Sequence, residues 1–327
     1  MPDSSAPLSP TLLGRDPRIA RALELVRRVA DTEATVLIRG ETGTGKEVIA
    51  RLLHQRSARA REPFVAVNCG ALPESLLEVE LFGATRGAYT GATVARAGKF
   101  EAAGRGTILL DEAATMGHAM QVALLRVLQS GEFTPIGSSV PRISRARVVA
   151  AVNVSLHDLV AAGSFRADLY YRLNVIQLEL PPLRERRDDI LELASHFLAR
   201  YAVQYGKVGL RLTEPVRIAL MQHDYPGNVR ELENAIHRAV VLAEDATLST
   251  RDLPADFHAL PRDDDAAGRG TAFHLAKAAL VARFERDYLS AALMRARGVI
   301  VDAARDVGLS ERVFHVKLRK YGMREAR

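Results

Sequence analysis

The sequence predicts an α/β domain with an open, mainly parallel sheet, then a helical domain, then a second helical segment at the C-terminus. Three observations support this fold class. A glycine-rich loop at residues 40–46 lies between a short β-branched run and an amphipathic run. An apolar run ends in Asp111 and Glu112, and strand patterns stop after Pro181-Pro182. Strands that end in polar residues near a glycine-rich loop are typical of an open α/β sheet.

Periodicity places the elements in order along the chain. Strands are predicted at residues 35–39, 64–69, 106–112, 147–153 and 175–178, and helices at 18–30 and 47–54. Further helices are predicted at 188–205, 214–223 and 228–243, without strands between them, and at 271–295, 301–307 and 310–320. We expect a tail over residues 1–10, an α/β domain over 11–178, a helical domain over 179–254, a linker over 255–270 and a C-terminal domain over 271–327.

Size and composition restrict the class of protein. The 327 residues suffice for two or three domains, and no apolar run approaches the length of a membrane span. The first ten residues lack the basic and apolar regions of a secretory signal. The single cysteine, Cys69, excludes an internal disulfide and is expected to be a small packing residue. We therefore expect a cytoplasmic protein with no membrane partner.

The net charge of +6 is concentrated at one end of the chain. Residues 271–327 carry 12 Lys and Arg against 6 Asp and Glu, whereas the preceding 270 residues carry 33 of each kind. A basic excess confined to one segment is expected where that segment alone meets nucleic acid. A solvated basic tail has the same composition, so both interpretations stay open on charge alone.

The glycine-rich loop has the composition of a phosphate-binding loop. Its glycines let backbone N–H groups converge on an anion, and the following helix adds the positive end of its dipole. Lys46 is placed to reach the terminal phosphates, and Glu47 stands where most such loops carry Ser or Thr for magnesium. The nucleotide-binding residues predicted here are Gly40, Glu41, Thr42, Gly43, Thr44, Gly45, Lys46 and Glu47. A glycine turn without a ligand is the alternative.

The acidic partner of this loop is predicted at the end of the strand over residues 106–112. An apolar strand of this kind is typical of a buried parallel sheet, whose ligands lie at the carboxyl ends of the strands. Asp111 would hold the magnesium ion and its waters. Glu112 would polarise the attacking water, as a general base or by orienting it. An exposed acidic strand end without a catalytic role is the alternative.

These motifs closely resemble those of the AAA+ bacterial enhancer-binding proteins, which activate the sigma-54 form of RNA polymerase. The phosphate loop with Glu after Lys is similar to that family's version, and the resemblance covers nearly the whole chain. It implies a AAA+ P-loop NTPase sheet domain with a helical lid domain, plus an all-α Fis-type helix-turn-helix domain. It also implies ATP and Mg²⁺ as cofactors, and sigma-54 RNA polymerase and upstream double-stranded DNA as partners.

A second motif resembles the family's surface loop that grips the sigma factor. It comprises Gly87, Ala88, Tyr89, Thr90, Gly91 and Ala92, and it follows the run Glu80-Leu81-Phe82-Gly83. The family usually has Phe where this chain has Tyr89, which keeps the ring for apolar contact and adds a hydroxyl. Thr90 would be the polar contact beside the ring. In isolation, a glycine-rich turn with an aromatic residue would be read as structural.

The resemblance also implies residues that act between subunits and that sense the nucleotide. Arg166 and Arg172 lie in a segment that resembles the one supplying arginines to the neighbouring subunit, which implies a ring, usually a hexamer. A guanidinium fork suits spread phosphoryl charge, although a helix held by surface ion pairs is the alternative. Arg230 matches the second sensor and Asn153 the first. Asn68 matches the residue that pairs with the catalytic glutamate, or is a simple strand-end cap.

The C-terminal segment resembles the Fis-type helix-turn-helix. Ala303 and Ala304 allow two helices to cross closely, and Gly308 suits the turn between them. Candidate DNA contacts are Ser310, which would also cap the recognition helix, Arg312, His315, Lys317, Arg319 and Lys320. Val313, Phe314 and Leu318 are expected in the core. Pairing through the helix over residues 271–295 would let a dimer bind a palindromic site.

The sequence thus predicts an ATP-hydrolysing activator that binds upstream DNA and remodels closed sigma-54 polymerase complexes to the open form. Many family members carry an N-terminal regulatory domain, for which about a dozen residues leave no room. We expect control by a separate protein or by expression level, or else a truncated chain. Two rivals stay open: a regulator of ordinary promoters that has lost sigma contact, and a remodelling or helicase-type ATPase that only docks on DNA.

Overall fold

The computed structural model describes residues 14–88, 94–257, 285, 288–293, 295–296 and 299–320, apart from the side chains of residues 312, 319 and 320. The chain divides into two compact units, Met1–His258 and Ala259–Arg327. In the part of the chain described here, no helix has the length and apolarity needed to cross a membrane.

A five-stranded parallel sheet forms the centre of the first unit. Its strands are β1 (Val36–Arg39), β2 (Phe64–Asn68), β5 (Thr107–Asp111), β8 (Arg147–Val152) and β9 (Ile176–Glu179). They lie in the order β2-β5-β8-β1-β9, so β1 and β5 flank β8. All six residues of β8 are buried, as expected for a parallel strand covered on both faces. Each of the five predicted strands is confirmed to within one residue at either end.

Helices cover both faces of this sheet. They are α1 (Pro17–Val29), α2 (Lys46–Gln55), α3 (Glu74–Phe82), α4 (Lys99–Ala103), α5 (His118–Ser130), α6 (Leu156–Ala161) and α7 (Ala167–Leu173). Successive strand residues point to opposite faces. In β5, Ile108 and Leu110 therefore join the core formed with α3, α4, α5 and α7, whereas Leu109 joins the core formed with α1 and α2.

Two short hairpins project from the sheet domain and lie outside the predicted elements. One pairs β3 (Gly83–Ala84) with β4 (Arg96–Ala97), and the other pairs β6 (Glu132–Phe133) with β7 (Arg142–Ile143). A single bridge between Ala84 and Ile136 connects them. Strands of two residues are too short to produce a hydrophobic period, so the sequence pattern could not reveal them.

The lid domain contains α8 (Ile190–Gln204), α9 (Glu214–Gln222) and α10 (Asn228–Leu242) around its own apolar core. The expectation of no strands here is wrong, because β10 (Arg211–Leu212) and β11 (Thr247–Leu248) form a small parallel pair. The predicted linker also begins too early. Ala255–Phe257 forms a 3-10 turn, and the Phe257 ring is buried in the lid core.

The second unit has a small core between its helices. Residues 288–293 are helical, followed by α11 (Ile300–Asp306) and α12 (Glu311–Lys320). The buried core residues are Leu289, Ala292, Ala303, Ala304, Phe314 and Leu318. The expectation of a core position is wrong for Val313, which is 41% exposed, because α12 turns its Phe314 side toward α11. Most of the helix predicted over residues 271–295 lies outside the described residues.

Candidate active site

The phosphate loop joins the end of β1 to the start of α2. Gly43 and Gly45 have φ values of 81° and 103°, a left-handed conformation that glycine adopts without a steric penalty. Because α2 begins at Lys46, its first N–H groups and its positive dipole end face the loop. The local structure can therefore receive an anion, as the sequence pattern predicts.

Lys46 lies across this loop with its side chain buried. Its Nζ donates to the carbonyl oxygens of Gly40, at 2.8 Å, and of Glu41, at 3.0 Å. Burial lowers the pKa of Lys46, whereas the charges of Asp111 and Glu112 act to raise it. The ammonium group of Lys46 therefore lies within electrostatic range of both carboxylates. In the sheet, β8 lies between β1, which leads into the loop before Lys46, and β5, which ends at Asp111.

Glu47 turns its side chain away from the loop. Its carboxylate accepts hydrogen bonds from Arg51 Nε and Nη2, at 2.9 and 2.7 Å, one turn further along α2. The side chain is thus held in an exposed ion pair on the helix surface. The backbone N–H of Glu47 remains in the first turn of α2, where such groups are directed at the loop.

Asp111 ends β5, and Glu112 directly follows it, at the edge of the sheet where the loop lies. The Glu112 N–H donates to Asp111 Oδ1 at 3.0 Å, and Glu112 has a φ of 55°, which is uncommon outside glycine. No group of three His, Cys, Asp or Glu side chains forms a metal site within the described residues. Mg²⁺ is usually held by one or two carboxylates together with substrate phosphates, a donor set that Asp111 and Glu112 fit.

Gly70 leaves room for the Glu112 side chain because it has no side chain of its own. The sequence patterns did not identify Gly70 as part of the site. A Cβ at this position would overlap Glu112 Oε2. The Gly70 N–H donates to Asn68 Oδ1 at 2.8 Å, while Asn68 pairs with Asp111 across β2 and β5. None of the hydrogen bonds among the described residues joins Asn68 directly to Glu112. The adjacent Cys69 is buried, which raises the pKa of its thiol to about 12.

The lid contacts the phosphate loop through the start of α10. Asn228 Nδ2 donates to the Thr42 carbonyl at 3.0 Å, and the Arg230 N–H donates to the Gly43 carbonyl at 3.3 Å. Gly43 has no room for a Cβ because the Gly227 carbonyl lies against it. A cleft of about 490 Å³ opens beside Thr42 and Arg230. Of the lid residues here, sequence reasoning found Arg230 and missed Asn228.

Glu41 is tied to the lid by a second set of contacts. Its carboxylate oxygens accept bidentate hydrogen bonds from Arg184, at 2.8 and 2.6 Å, and one from Asn228 at 3.1 Å. The Arg184 hydrogen bonds, followed by that of Asn228, lower the pKa of Glu41 to about 2. Glu41 is therefore ionised at neutral pH and closes the outer side of the loop against the lid.

Asn153 directly follows β8 and is exposed at the loop's edge of the sheet. The Gly40 N–H donates to the Val152 carbonyl at 3.1 Å, so the residue before Asn153 touches the first residue of the loop. The amide side chain of Asn153 makes no hydrogen bond within the described residues. Asn153 thus lies near the phosphate loop, and no described residue occupies the hydrogen-bonding groups of its side chain.

Arg166 directly precedes helix α7 and is half-buried, whereas Arg172 lies exposed in the last turn of that helix. Arg166 donates to Asp168 at 3.0 and 2.7 Å, and its Nη1 lies 3.4 Å from His118 Nε2. Arg172 is exposed and has no ion pair in the described part of the chain. Among the described residues, neither guanidinium makes a hydrogen bond or ion pair with the phosphate loop of its own chain. Sequence position alone could not show that Arg166 has an acidic partner.

The predicted sigma-contact loop is described only at its base. Gly87 and Ala88 lie within the described residues, whereas Tyr89, Thr90, Gly91 and Ala92 lie outside them. Gly137, in the β6–β7 hairpin, packs against Ala88 so closely that a Cβ would be 2.7 Å from the Ala88 Cβ. The base of the loop is thus held by a second hairpin that the sequence did not indicate.

The helix-turn-helix in the second unit has the buried alanines, the glycine turn and the serine cap that the sequence predicts. Ala303 and Ala304 are buried, Gly308 has a φ of 71°, and the Val313 N–H donates to Ser310 Oγ at 3.4 Å. Of the candidate DNA contacts, Ser310 is exposed and His315 is half-buried. Lys317 donates to Glu285 Oε1 at 2.6 Å. The side chains of Arg312, Arg319 and Lys320 lie outside the described residues.

The fold and the loop define the class of protein: a AAA+ P-loop NTPase with a helical lid, accompanied by a helix-turn-helix unit. Residues 12–179 match the Sigma-54 interaction domain, residues 184–269 the AAA+ ATPase lid domain, and residues 280–321 the Fis family of bacterial regulatory proteins. The chain belongs to the family of sigma-54-dependent transcriptional activators.

Similar proteins cover nearly all of this chain. The nitrogen fixation protein AnfA of Azotobacter vinelandii is 40% identical over 95% of this chain and 57% of its own. The C4-dicarboxylate transport transcriptional regulatory protein DctD of Rhizobium meliloti is 44% identical, over 96% and 65%. The transcriptional regulatory protein ZraR of Salmonella typhimurium is 43% identical, over 94% and 68%. This chain therefore spans a little over half to two thirds of these relatives.

A solved structure shows the same fold. The crystal structure of NtrX from Brucella abortus in complex with ADP has a TM-score of 0.73 and 32% sequence identity. The match covers 95% of this chain and 70% of NtrX. NtrX has also been solved with ATP, with a TM-score of 0.69.

Proposed function

We propose that this protein hydrolyses ATP and uses the energy to convert closed sigma-54 RNA polymerase complexes to the open form while bound to upstream DNA. The observation that carries the proposal is the meeting of Lys46, Asp111 and Glu112 at one edge of the sheet, beneath a lid that touches the phosphate loop. The crystal structures of NtrX with ADP and ATP support a nucleotide as the ligand.

Each residue of the site has a role in this proposal. The loop N–H groups of residues 40–47 and Lys46 bind the phosphates, and Arg230 contacts the same nucleotide from the lid. Asp111 would hold Mg²⁺, and the ion would supply positive charge to neutralise the phosphates. Glu112 takes a proton from the attacking water or orients it. Asn68 and Asn153, both next to this edge, orient Glu112 and the attacked phosphate respectively.

The proposed reaction needs more than one copy of the chain. Arg172 is exposed and Arg166 partly exposed, and their planar charge suits the spread charge of a transferring phosphoryl group on a neighbour. We therefore infer a ring, hexameric in its active form, that assembles from dimers bound to DNA. The Tyr89–Thr90 tip contacts sigma-54, and the helix-turn-helix binds a palindromic enhancer site. A separate regulatory protein would control assembly.

A reconstituted transcription assay with and without sigma-54 tests this function. The parent protein should open a sigma-54 promoter in the presence of ATP and leave a promoter of the ordinary sigma factor unchanged. Glu112→Gln should bind ATP normally but lose hydrolysis by about a hundredfold or more, because the water loses its base. Thr90→Ala should keep ATP hydrolysis but lose promoter opening.

The assay also separates the two rival functions. Promoter activation without sigma-54 would support a regulator of ordinary promoters. ATP-dependent remodelling of DNA or protein that ignores sigma-54 would support a helicase-type ATPase. Hydrolysis by Glu112→Gln at the parent rate would remove the role assigned to Glu112, and promoter opening by Thr90→Ala would remove the role assigned to the loop.

A further inference from the structure

A buried ion pair lies behind the phosphate loop and has no role in the site as described so far. Arg186 and Asp189 precede helix α8 and are 3% and 0% exposed, with Nη1 and Oδ2 3.9 Å apart. Burying two charges costs free energy that their attraction repays only with good geometry and further hydrogen bonds. This pair leaves Arg186 Nε and Asp189 Oδ2 without hydrogen bonds in the described part of the chain.

Both members of the pair hold backbone from other segments. Arg186 Nη2 donates to the carbonyl oxygen of Thr44, inside the phosphate loop, at 3.2 Å. Asp189 Oδ1 accepts the N–H groups of Arg15, at 2.6 Å, and Asp16, at 3.3 Å, in the segment that leads into α1. Arg186 and Asp189 therefore form hydrogen bonds with these backbone groups, whereas the two side chains are 3.9 Å apart and form no hydrogen bond with each other.

The contact with Thr44 determines which way one peptide group of the loop faces. A trans peptide is planar, and its C=O and N–H point in opposite directions. A Thr44 carbonyl held toward the buried Arg186 therefore directs the N–H of Gly45 to the other side, away from the protein interior. Within the described residues, that N–H makes no hydrogen bond. A charge-assisted hydrogen bond at the carbonyl also polarises the peptide and strengthens its N–H as a donor.

We propose that Arg186 is a positioning residue for nucleotide phosphates. By holding the Thr44 carbonyl, it presents the Gly45 N–H to the phosphate group, and Asp189 keeps the guanidinium in place. Arg186 itself touches no substrate. The inference rests on the proposed ATP-binding function. It adds Arg186, which lies outside residues 40–47, to the residues that set the conformation of the phosphate loop.

Nucleotide binding by Arg186→Met, Arg186→Lys and a control, Arg187→Met, tests this role. Arg187 lies next in sequence, but its guanidinium bonds Met221 and Asp224 at the lid surface. We expect Arg186→Met to raise the Kd for ADP, measured calorimetrically, and the KM for ATP by about tenfold to a hundredfold, with kcat changed far less. Arg186→Lys should also raise both constants, because one ammonium lacks the fork that reaches Thr44 and Asp189 together. Arg187→Met should match the parent.

The outcomes separate this role from a merely structural one. Parent values of Kd and KM in folded Arg186→Met would overturn the proposal, and if that variant does not fold, the same values in Arg186→Lys would overturn it. Loss of folding in both variants, with Arg187→Met folded, would assign the pair to stability alone and would also overturn it. No nucleotide binding by the parent protein would instead defeat the proposed ATPase function on which the inference rests.

Discussion

At Gly70, the lack of a side chain decides where the Glu112 carboxylate lies. A Cβ there would overlap Glu112 Oε2, yet the overlapping atom is the end of a flexible side chain. Substitution would therefore move the carboxylate and leave the backbone in place. The position of a general base matters because proton transfer requires hydrogen-bond distance to the reacting water.

We predict that Gly70→Ala lowers the kcat for ATP hydrolysis by about tenfold to a hundredfold, because Glu112 is displaced from the proposed water. The KM for ATP should stay close to that of the parent, since the phosphate loop is untouched. Steady-state ATPase kinetics measures both constants. Ala71→Ser, which adds one heavy atom at the adjacent exposed residue, is the matched control. A parent-like kcat for Gly70→Ala would show that this contact does not position Glu112.

At the scale of an element, the buried side chain of Arg147 binds the end of helix α1 to the sheet. Arg147 is the first residue of β8, so this contact lies at the edge of the sheet opposite the phosphate loop. Its guanidinium donates to the carbonyl oxygens of Val29, at 2.8 Å, Ala30 and Ala34, at 3.3 Å. The last carbonyl groups of a helix have no partners within the helix and carry its negative dipole end. Arg147 thus brings positive charge to the carbonyls of Val29 and Ala30 at this helix end, and it also binds the Ala34 carbonyl in the segment that follows.

We predict that Arg147→Met lowers the free energy of unfolding by about 2–4 kcal/mol, because the carbonyl oxygens of Ala30 and Ala34 lose the Arg147 donor, while that of Val29 keeps only Thr32. Equilibrium urea unfolding measures the change. Arg145→Met is the control, since Arg145 is exposed and the same substitution there should change the unfolding free energy by less than about 0.5 kcal/mol. Equal stability of the two variants would show that the Arg147 hydrogen bonds contribute little.

At the scale of the whole molecule, the proposed ring divides each nucleotide site between two copies. One copy supplies Lys46 and Glu112, and the neighbour supplies Arg172, which is exposed and unpaired within the described part of the chain. Two inactive variants with lesions on opposite sides of the interface should therefore complement each other. A site that lies within one chain could not recover in this way.

We predict that Glu112→Gln and Arg172→Ala are each nearly inactive as ATPases but regain activity when mixed. In an equal, random mixture, roughly a quarter of the interfaces carry an intact Glu112 and an intact Arg172. ATP hydrolysis measured across mixing ratios should therefore peak near equal amounts. Mixing Glu112→Gln with the double variant should give no recovery, because no interface has both residues. Equal activities in the two mixtures would contradict the arrangement in trans.

Local patterns in the sequence predicted much of the fold and the local structure of the phosphate loop. Each strand of the central sheet lies within a residue of its predicted place, because an apolar run between turn residues identifies a buried strand. The same periodicity failed for the two-residue strands, and it placed Val313 in the core, although α12 turns that residue to the surface. For the lid, Asn228 and Arg184 were missed because an isolated Asn or Arg has no spacing that marks its role.

The sequence alone determined the glycine-rich loop, the acidic strand end and the close crossing of Ala303 and Ala304 before the turn at Gly308, since each depends on residues close together along the chain. Only the tertiary structure decided which distant groups complete the site. Asn228 meets Thr42 across 186 residues, and Arg186 meets Thr44 across 142. Such contacts exist because the parallel sheet and the lid bring their loops to one edge, and nothing in local spacing specifies which side chains then come within hydrogen-bond distance.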